Sequence, residues 1–119
     1  SQKFTIDKNT GNFCIPYVIA SPSVDPPSGR LSLYNNDVRS TTKVSVHKTN
    51  FDNQSITPYL TGSSAGNLII SSKNFPTSYA IFPYTVVEEE DNYVNFLSSG
   101  SSAFSDFTPL LGVKLFALS

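Results

Sequence analysis

Gly66-Asn-Leu-Ile-Ile-Ser-Ser-Lys-Asn-Phe-Pro-Thr-Ser-Tyr-Ala-Ile-Phe-Pro-Tyr-Thr-Val-Val87 is the stretch on which the fold turns. Leu68, Ile69 and Ile70 form a short run of large, mostly β-branched apolar residues. Ser71 to Ser78 holds Asn74 and Pro76 and forms turns, and the chain returns from Tyr79 to Val87. Two extended apolar runs separated in this way predict antiparallel strands joined by a hairpin loop. On the return run Ile81 and Val87 are expected on one side and Phe82, Tyr84 and Val86 on the other. Apolar groups on both sides predict a strand well inside a sheet, covered on each face. The stretch carries no catalytic group.

The rest of the composition agrees with a β fold. A chain of 119 residues has a single-domain length, and folding at this size buries roughly two-thirds of the unfolded surface. The composition is 39% hydrophobic and 14% charged, which is globular rather than disordered. Nine Phe and six Tyr, with no Trp or Met, suit pleated surfaces, while Ser, Thr, Asn and Pro cut the chain into short pieces. The net charge of −1 comes with no basic stripe: Arg30, Arg39, Lys43 and Lys48 are scattered among acids. Nucleic-acid binding needs positive charge to replace phosphate counterions, so that class is not expected. No run approaches the roughly 20 apolar residues that cross a bilayer. Cys14 has no intrachain partner and is expected to be a small buried hydrophobe. That fits synthesis in a reducing compartment. The N-terminus lacks a signal peptide's apolar centre. Its first Ser fits a trimmed initiator Met and hence a complete small gene product, although a domain excised from a longer protein could begin the same way.

Outward from the hairpin, strands are expected at 3–6 and 12–20, bracketing a turn at Lys8-Asn9-Thr10-Gly11. Asp7, Asn9 and Asn12 suggest a calcium loop, but the sixth position lacks Gly and Val18 stands where the bidentate Glu belongs. Ser21 to Gly29 holds three prolines and is a stiff connector, either a loop over the top of a sandwich or an arm that clasps a neighbouring subunit. Arg30 to Tyr34 alternates with Leu31 and Leu33 inward, and Asn35 to Asp37 turns. Thr42 to Lys48 alternates with Val44 and Val46 inward and Lys43, Ser45 and His47 outward. His47, the sole histidine, is expected to face solvent. A short helical turn is expected near 55–60, capped by Ser55 with Pro58 in its first turn. Asn53-Gln54-Ser55 matches a glycosylation sequon, a short and frequent pattern. Glu88 to Asp91 is a run of four acids expected at a hairpin tip, where repulsion discourages pairing with other chains. Strands follow at 92–97, 103–107 and 113–118, with a Ser–Gly loop at 98–102. About eight short strands predict an antiparallel β-sandwich or jelly roll in one domain, 1–119. Ile15 to Ile19, Tyr79 to Val87 and Val113 to Leu118 are apolar on both faces, which leads to an expected homo-oligomer.

From Asp25 onward the order of motifs resembles a module of tailed-bacteriophage virion proteins. It runs from a Pro–Gly leader (Asp25 to Gly29) through a strand ending in paired asparagines (Arg30 to Asn36) and a Thr- and Val-containing strand (Thr42 to Lys48). A linker with a helical turn, a Gly-led strand (Gly66 to Ile70) and a Tyr-led strand (Tyr79 to Phe82) come next. A further strand, a Ser–Gly loop before Phe104 and a last strand (Val113 to Leu118) close it. The chain departs from the pattern at Ser105 to Pro109, where a glycine is usual, and in its 88–91 acidic run.

The resemblance implies a non-enzymatic structural part of a virion, made in the host cytoplasm and carried on the capsid surface or a tail appendage. A capsid decoration (cement) protein is expected, partnered by the major capsid protein or other virion proteins and assembled as a homo-oligomer, with a trimer the expected order. Residues 1–20 and the 21–29 connector lie outside or at the edge of the shared module and are expected to dock on the shell. The alternative is a tail-fibre or adhesin module that binds a host glycan or protein. Tyr34, Tyr59, Tyr79, Tyr84 and Tyr93 are the candidate sugar-facing rings, although core and interface take most Tyr surface. No catalytic, cofactor or metal residue is expected. His47 and Cys14 are lone, and neighbouring acids such as Glu89 and Asp91 diverge instead of facing one another across a substrate.

Overall fold

The computed structural model describes residues 5–6, 13–21, 24–34, 41–72, 79–98, 103–105 and 113–118, with side chains described at 15–21, 24–34, 41–70 and 82–98. The turns expected at 8–11 and 35–37, the loop at 73–78, the Ser–Gly loop from 99 to 102 and the side chain of Cys14 lie outside them. In chain order the elements are β1 (Thr5–Ile6), β2 (Phe13–Ile19), β3 (Arg30–Leu33), β4 (Lys43–His47), α1 (Thr57–Thr61), β5 (Gly66–Ser72), β6 (Tyr79–Tyr84), β7 (Val86–Glu89), β8 (Tyr93–Leu97), β9 (Ala103–Ser105) and β10 (Val113–Leu118). Among the described residues the protein is all-β with one short helix, as the composition suggests. Pro58 stands in the first turn of α1 as expected. Ser55 does not cap it: Ile56 holds that position without a side-chain bond, and Ser55 forms a bridge with Thr49 instead.

The strands form one hydrogen-bonded path, β7-β8-β4-β3-β2-β10-β5-β6-β9, with β1 added to β2. The expected hairpin is present as β5 and β6, antiparallel with Leu68 opposite Phe82 and Ile70 opposite Ala80. The centre of the sheet corrects the expectation of antiparallel pairing throughout. β10 lies parallel to both β2 and β5, and β2 lies parallel to β3. Apolar runs permit either direction, and closure of β10 between β2 and β5 decides it. Central parallel strands are buried on both faces and read as continuous apolar runs, which is the pattern at Ile15 to Ile19 and Val113 to Leu118. On β2 that pattern is filled within the chain at Ile15, Pro16 and Tyr17, while Ile19 stays exposed.

The sheet folds over on itself. β6 and β8 are far apart along the path, yet the rings of Tyr84 and Phe96 meet edge to face at 4.9 Å. A flat sheet would separate them by several strand spacings of about 4.8 Å each. The turnover happens at one residue. Thr85 alone divides β6 from β7, which sit near opposite ends of the path. The Thr85 N–H bonds Leu97 O at 2.9 Å, while Val86 is also registered opposite Leu97. Two residues against one is a bulge, which bends the strand and resets its alternation. Hence Phe82 and Tyr84 point inward as expected, but Val86 turns out to solvent and Val87 packs on the core. Strands that switch layers in this way make the corners of sandwiches.

The core lies between the two layers. Ile15 and Tyr17 on β2, Leu31 on β3, Val44 and Val46 on β4, Leu68 and Ile70 on β5, Phe82 and Tyr84 on β6, and Val94 and Phe96 on β8 fill it, with Ile56 and Leu60 from around α1. Strand alternation puts each set on one face. Gly66 lies beneath Tyr84, where a Cβ would sit 3.0 Å from the tyrosine hydroxyl and push it by a few tenths of an ångström.

Two parallel neighbours cannot be joined by a tight turn. The segment between β2 and β3 therefore returns across the sheet and ends at Gly29, whose φ of 80° no other residue adopts cheaply. Both backbone groups of Gly29 are engaged, its N–H by Thr49 O and its carbonyl by the Val18 N–H, each at 3.0 Å. A Cβ would lie 3.2 Å from the Phe51 backbone. Gly29→Ala is expected to cost about 1–3 kcal/mol, the usual range for a non-glycine residue held in the left-handed region. Urea unfolding measures it as a lower midpoint with an unchanged slope.

Candidate functional site

Ser32 lies between Leu31 and Leu33, Ser45 between Val44 and Val46, and Asn95 between Val94 and Phe96. Their apolar neighbours face the core, so strand alternation sends all three to the opposite face. Register places them in one row: Ser32 opposite Ser45, Ser45 opposite Asn95, and Asn95 opposite Glu88. Such a row should be wet, and Ser45 is expected outward. It does face outward, but Ser32 and Ser45 are 0% exposed and Asn95 is 4% exposed.

The Pro-rich connector explains part of this burial. The Asp25 Oδ1 accepts a hydrogen bond from the Tyr34 hydroxyl at 3.1 Å, and the same carboxylate acts electrostatically on the Tyr93 hydroxyl. Tyr34 directly follows β3, so the Asp25 carboxylate ties the connector to the end of that strand and acts on Tyr93 at the start of β8. Pro26 is buried, and Pro27 O accepts from the Arg30 N–H at 3.1 Å. Tyr34 also shares a hydrogen bond with Ser45 and carries the Lys43 ammonium 4.4 Å from its ring centre. Burial raises the Tyr34 pKa and the Asp25 carboxylate adds to the rise, against the Ser45 bond. Desolvation raises Tyr93, again with Asp25 contributing. The connector is thus tied as a strap to the chain's own sheet at Asp25. Within the row Ser45 Oγ bonds Asn95 Oδ1, whereas Ser32 Oγ has no partner among the described residues.

Of the candidate sugar-facing rings, Tyr34 and Tyr93 are brought together about Asp25, and the Tyr34 hydroxyl holds the strap. Tyr84 lies in the core against Phe96, its pKa raised by burial. Tyr59 is exposed on α1, and the side chain of Tyr79 lies outside the described residues. Lys43 covers one face of Tyr34, a surface a sugar ring would need. Asp25→Ala removes the acceptor of the exposed Tyr34 bond and is expected to cost less than about 1 kcal/mol, because solvent screens it. The ring resonances of Tyr34 and Tyr93 should shift while those of the buried Tyr17 stay in place.

His47 is half-buried rather than solvent-facing. Its Nδ1 accepts the Thr49 N–H at 3.0 Å, and its carbonyl accepts the buried Tyr17 hydroxyl at 2.6 Å. Burial lowers the His47 pKa and raises that of Tyr17 far above the ordinary phenol range. The unfolded chain therefore takes up the His47 proton first, near pH 6.5. The stabilising contribution is present above that pH and is lost as pH falls through the lower folded value. Unfolding free energies measured between pH 7 and 5 should fall less steeply in His47→Gln than in the wild type.

Beside it, Asn50 is buried and builds its own loop. Its Oδ1 accepts the N–H groups of Asp52 and Gln54 at 3.0 and 2.8 Å, and its Nδ2 donates to Gln54 Oε1 at 2.9 Å. Asn53, the sequon asparagine, stands at φ 63° and is exposed, and the loop holds Phe51 outward at 52% exposure. The acids are split between strand and turn: Glu88 and Glu89 lie in β7, and Glu89 pairs with Lys48 at 2.8 Å.

Among the described residues no group of three or more His, Cys, Asp or Glu side chains is placed to hold a metal ion. No helix among them is long and apolar enough to cross a membrane. Sequence inspection missed Asp25 and the polar row. Its signal was one small polar residue at the same phase in three strands. Comparison with models of protein families, with curated proteins and with solved structures gives no significant match.

Proposed function

We propose that this chain is a non-enzymatic structural protein of a bacteriophage virion, a decoration protein that binds the outer shell and stabilises it. The observation that carries this reading is the succession of motifs from Asp25 to Leu118, whose segments follow in order the elements β3, β4, α1, β5, β6, β8, β9 and β10, with β7 standing outside the pattern. A decoration protein contributes free energy by burying surface across joints between capsomers, and a durable contact covers more than about 1,000 Å². The N-terminal strands supply the sheet's interior through β2, so docking is assigned to what they leave outside. Ile19 and Val24, each 42% exposed, flank the start of the strap and form the shell-facing edge.

The test is the location and copy number of the labelled protein on intact particles. Copies in proportion to the capsomers support decoration. Copies in proportion to a tail appendage, with adsorption to a host glycan, move the assignment to a fibre or adhesin. Ile19→Asp with Val24→Asp should leave the unfolding midpoint nearly unchanged and empty the shell. Full occupancy in that folded variant removes the proposed docking edge.

A further inference from the structure

The open edge of β7 has a defined pattern. In the β8 ladder the Glu90 N–H bonds Tyr93 O, and the register runs Val86 opposite Leu97 and Glu88 opposite Asn95. Antiparallel alternation then turns the N–H and C=O groups of Val87 and Glu89 away from β8. No described strand receives them, because β7 ends the sheet path. The side chains alternate too. Val87 packs against the core, whereas Val86, at 47% exposure, and Glu88 lie on the outer face, followed by the exposed Glu90 and Asp91. Among the described residues Glu89 alone of the four acids has an ion pair.

We infer that β7 is a docking edge for an extended, basic segment of a partner protein, added as a further strand. Alternate residues of that segment meet two different rows. One row extends the core beside Val87 and takes valine or isoleucine. The other lies against Glu88 and Glu90 and takes arginine or lysine, since opposite charges paired across strands stabilise and like charges repel. A second copy of this chain brings its own acids to the same edge and is rejected. Strand addition supplies main-chain hydrogen bonds for affinity, while the alternate side chains supply the choice of partner. The edge is the same whether the protein sits on a shell or an appendage.

The experiment titrates the full-length protein with a capped peptide alternating arginine and valine, followed by amide NMR and calorimetry. Saturable binding is expected, with shifts centred on 86–89 and affinity falling as salt rises. A peptide N-methylated at alternate residues should lose most of the affinity without any change to the protein. Val87→Pro deletes an outward N–H and keeps the β8 ladder, so it should weaken binding at least several-fold. Glu88→Gln with Glu90→Gln should weaken it and flatten the salt dependence. Equal binding of the N-methylated peptide would mean diffuse attraction to the acids and overturn the proposal. No binding at all would also overturn it and leave β7 as a guarded edge only. Neither outcome bears on where the protein sits on a particle.

Discussion

Leu115→Pro is expected to abolish the folded state: no cooperative thermal or urea transition, and loss of the near-ultraviolet signal of the packed aromatics. β10 is the last strand in the sequence but lies in the middle of the sheet. Leu115 is opposite Ile15 on one side and Ile70 on the other. A proline there removes a ladder hydrogen bond in a strand flanked on both sides, where proline is essentially not found. β10 is the link between β2 and β5 in the sheet path, so its loss divides the sheet. A comparable break in a helix costs about 3 kcal/mol or more, against a total stability of about 5–15 kcal/mol for a typical domain. The same substitution at the edge position, Val87→Pro, should leave a cooperative transition, which separates loss of a central ladder from a general dislike of proline. A Leu115→Pro protein that unfolds with a wild-type midpoint would contradict the central position of β10. The same logic makes removal of residues 1–20 a folding lesion, because β2 pairs with β10 and β3 and carries the buried Ile15 and Tyr17.

The fold class and most strands were legible because strand alternation is a local signal. Leu31, Val44, Val46, Val94 and Phe96 are all buried, as their phase requires. Pairing direction was not legible. Parallel and antiparallel partners draw on the same apolar residues, and what decides between them is long-range closure of β10 between β2 and β5. The side assigned to Val86 failed for a different reason. One extra residue at Thr85 shifts the phase of everything after it, and nothing about a threonine announces a bulge. The candidate site was half visible. Its tyrosines stood out by type, but Asp25 acts only because the strap crosses the sheet, and that crossing follows from the parallel β2–β3 pair. Ser45 and Asn95 are polar residues at an outward phase, and nothing in that phase announces their burial.

The second large effect is expected at Phe96. Its side chain is fully buried and meets Tyr84 edge to face, with ring centres 4.9 Å apart at an interplanar angle of 69°. Phe96 comes from the half of the sheet that holds β8, and Tyr84 comes from the half that holds β6. The contact is therefore a clasp between layers, more than one packing contact among many. Phe96→Ala combines lost transfer energy with a cavity that the surrounding strands cannot fill, and is expected to cost about 3–5 kcal/mol. Phe96→Leu keeps most of the apolar volume and isolates the ring contact. In a double-mutant cycle with Tyr84→Leu, the coupling should be about 0.5–1.5 kcal/mol, the range for an aromatic pair beyond its buried area. Val86→Ala serves as the contrast, since Val86 is 47% exposed and belongs to the same strand run as Tyr84. It should change stability by less than about 0.5 kcal/mol, as surface substitutions usually do. Urea midpoints for the set measure all of these values. Equal losses at Phe96 and Val86 would mean that the run from Tyr79 to Glu89 does not change layers at Thr85. A large loss at Phe96 without coupling to Tyr84 would keep the core and remove the clasp.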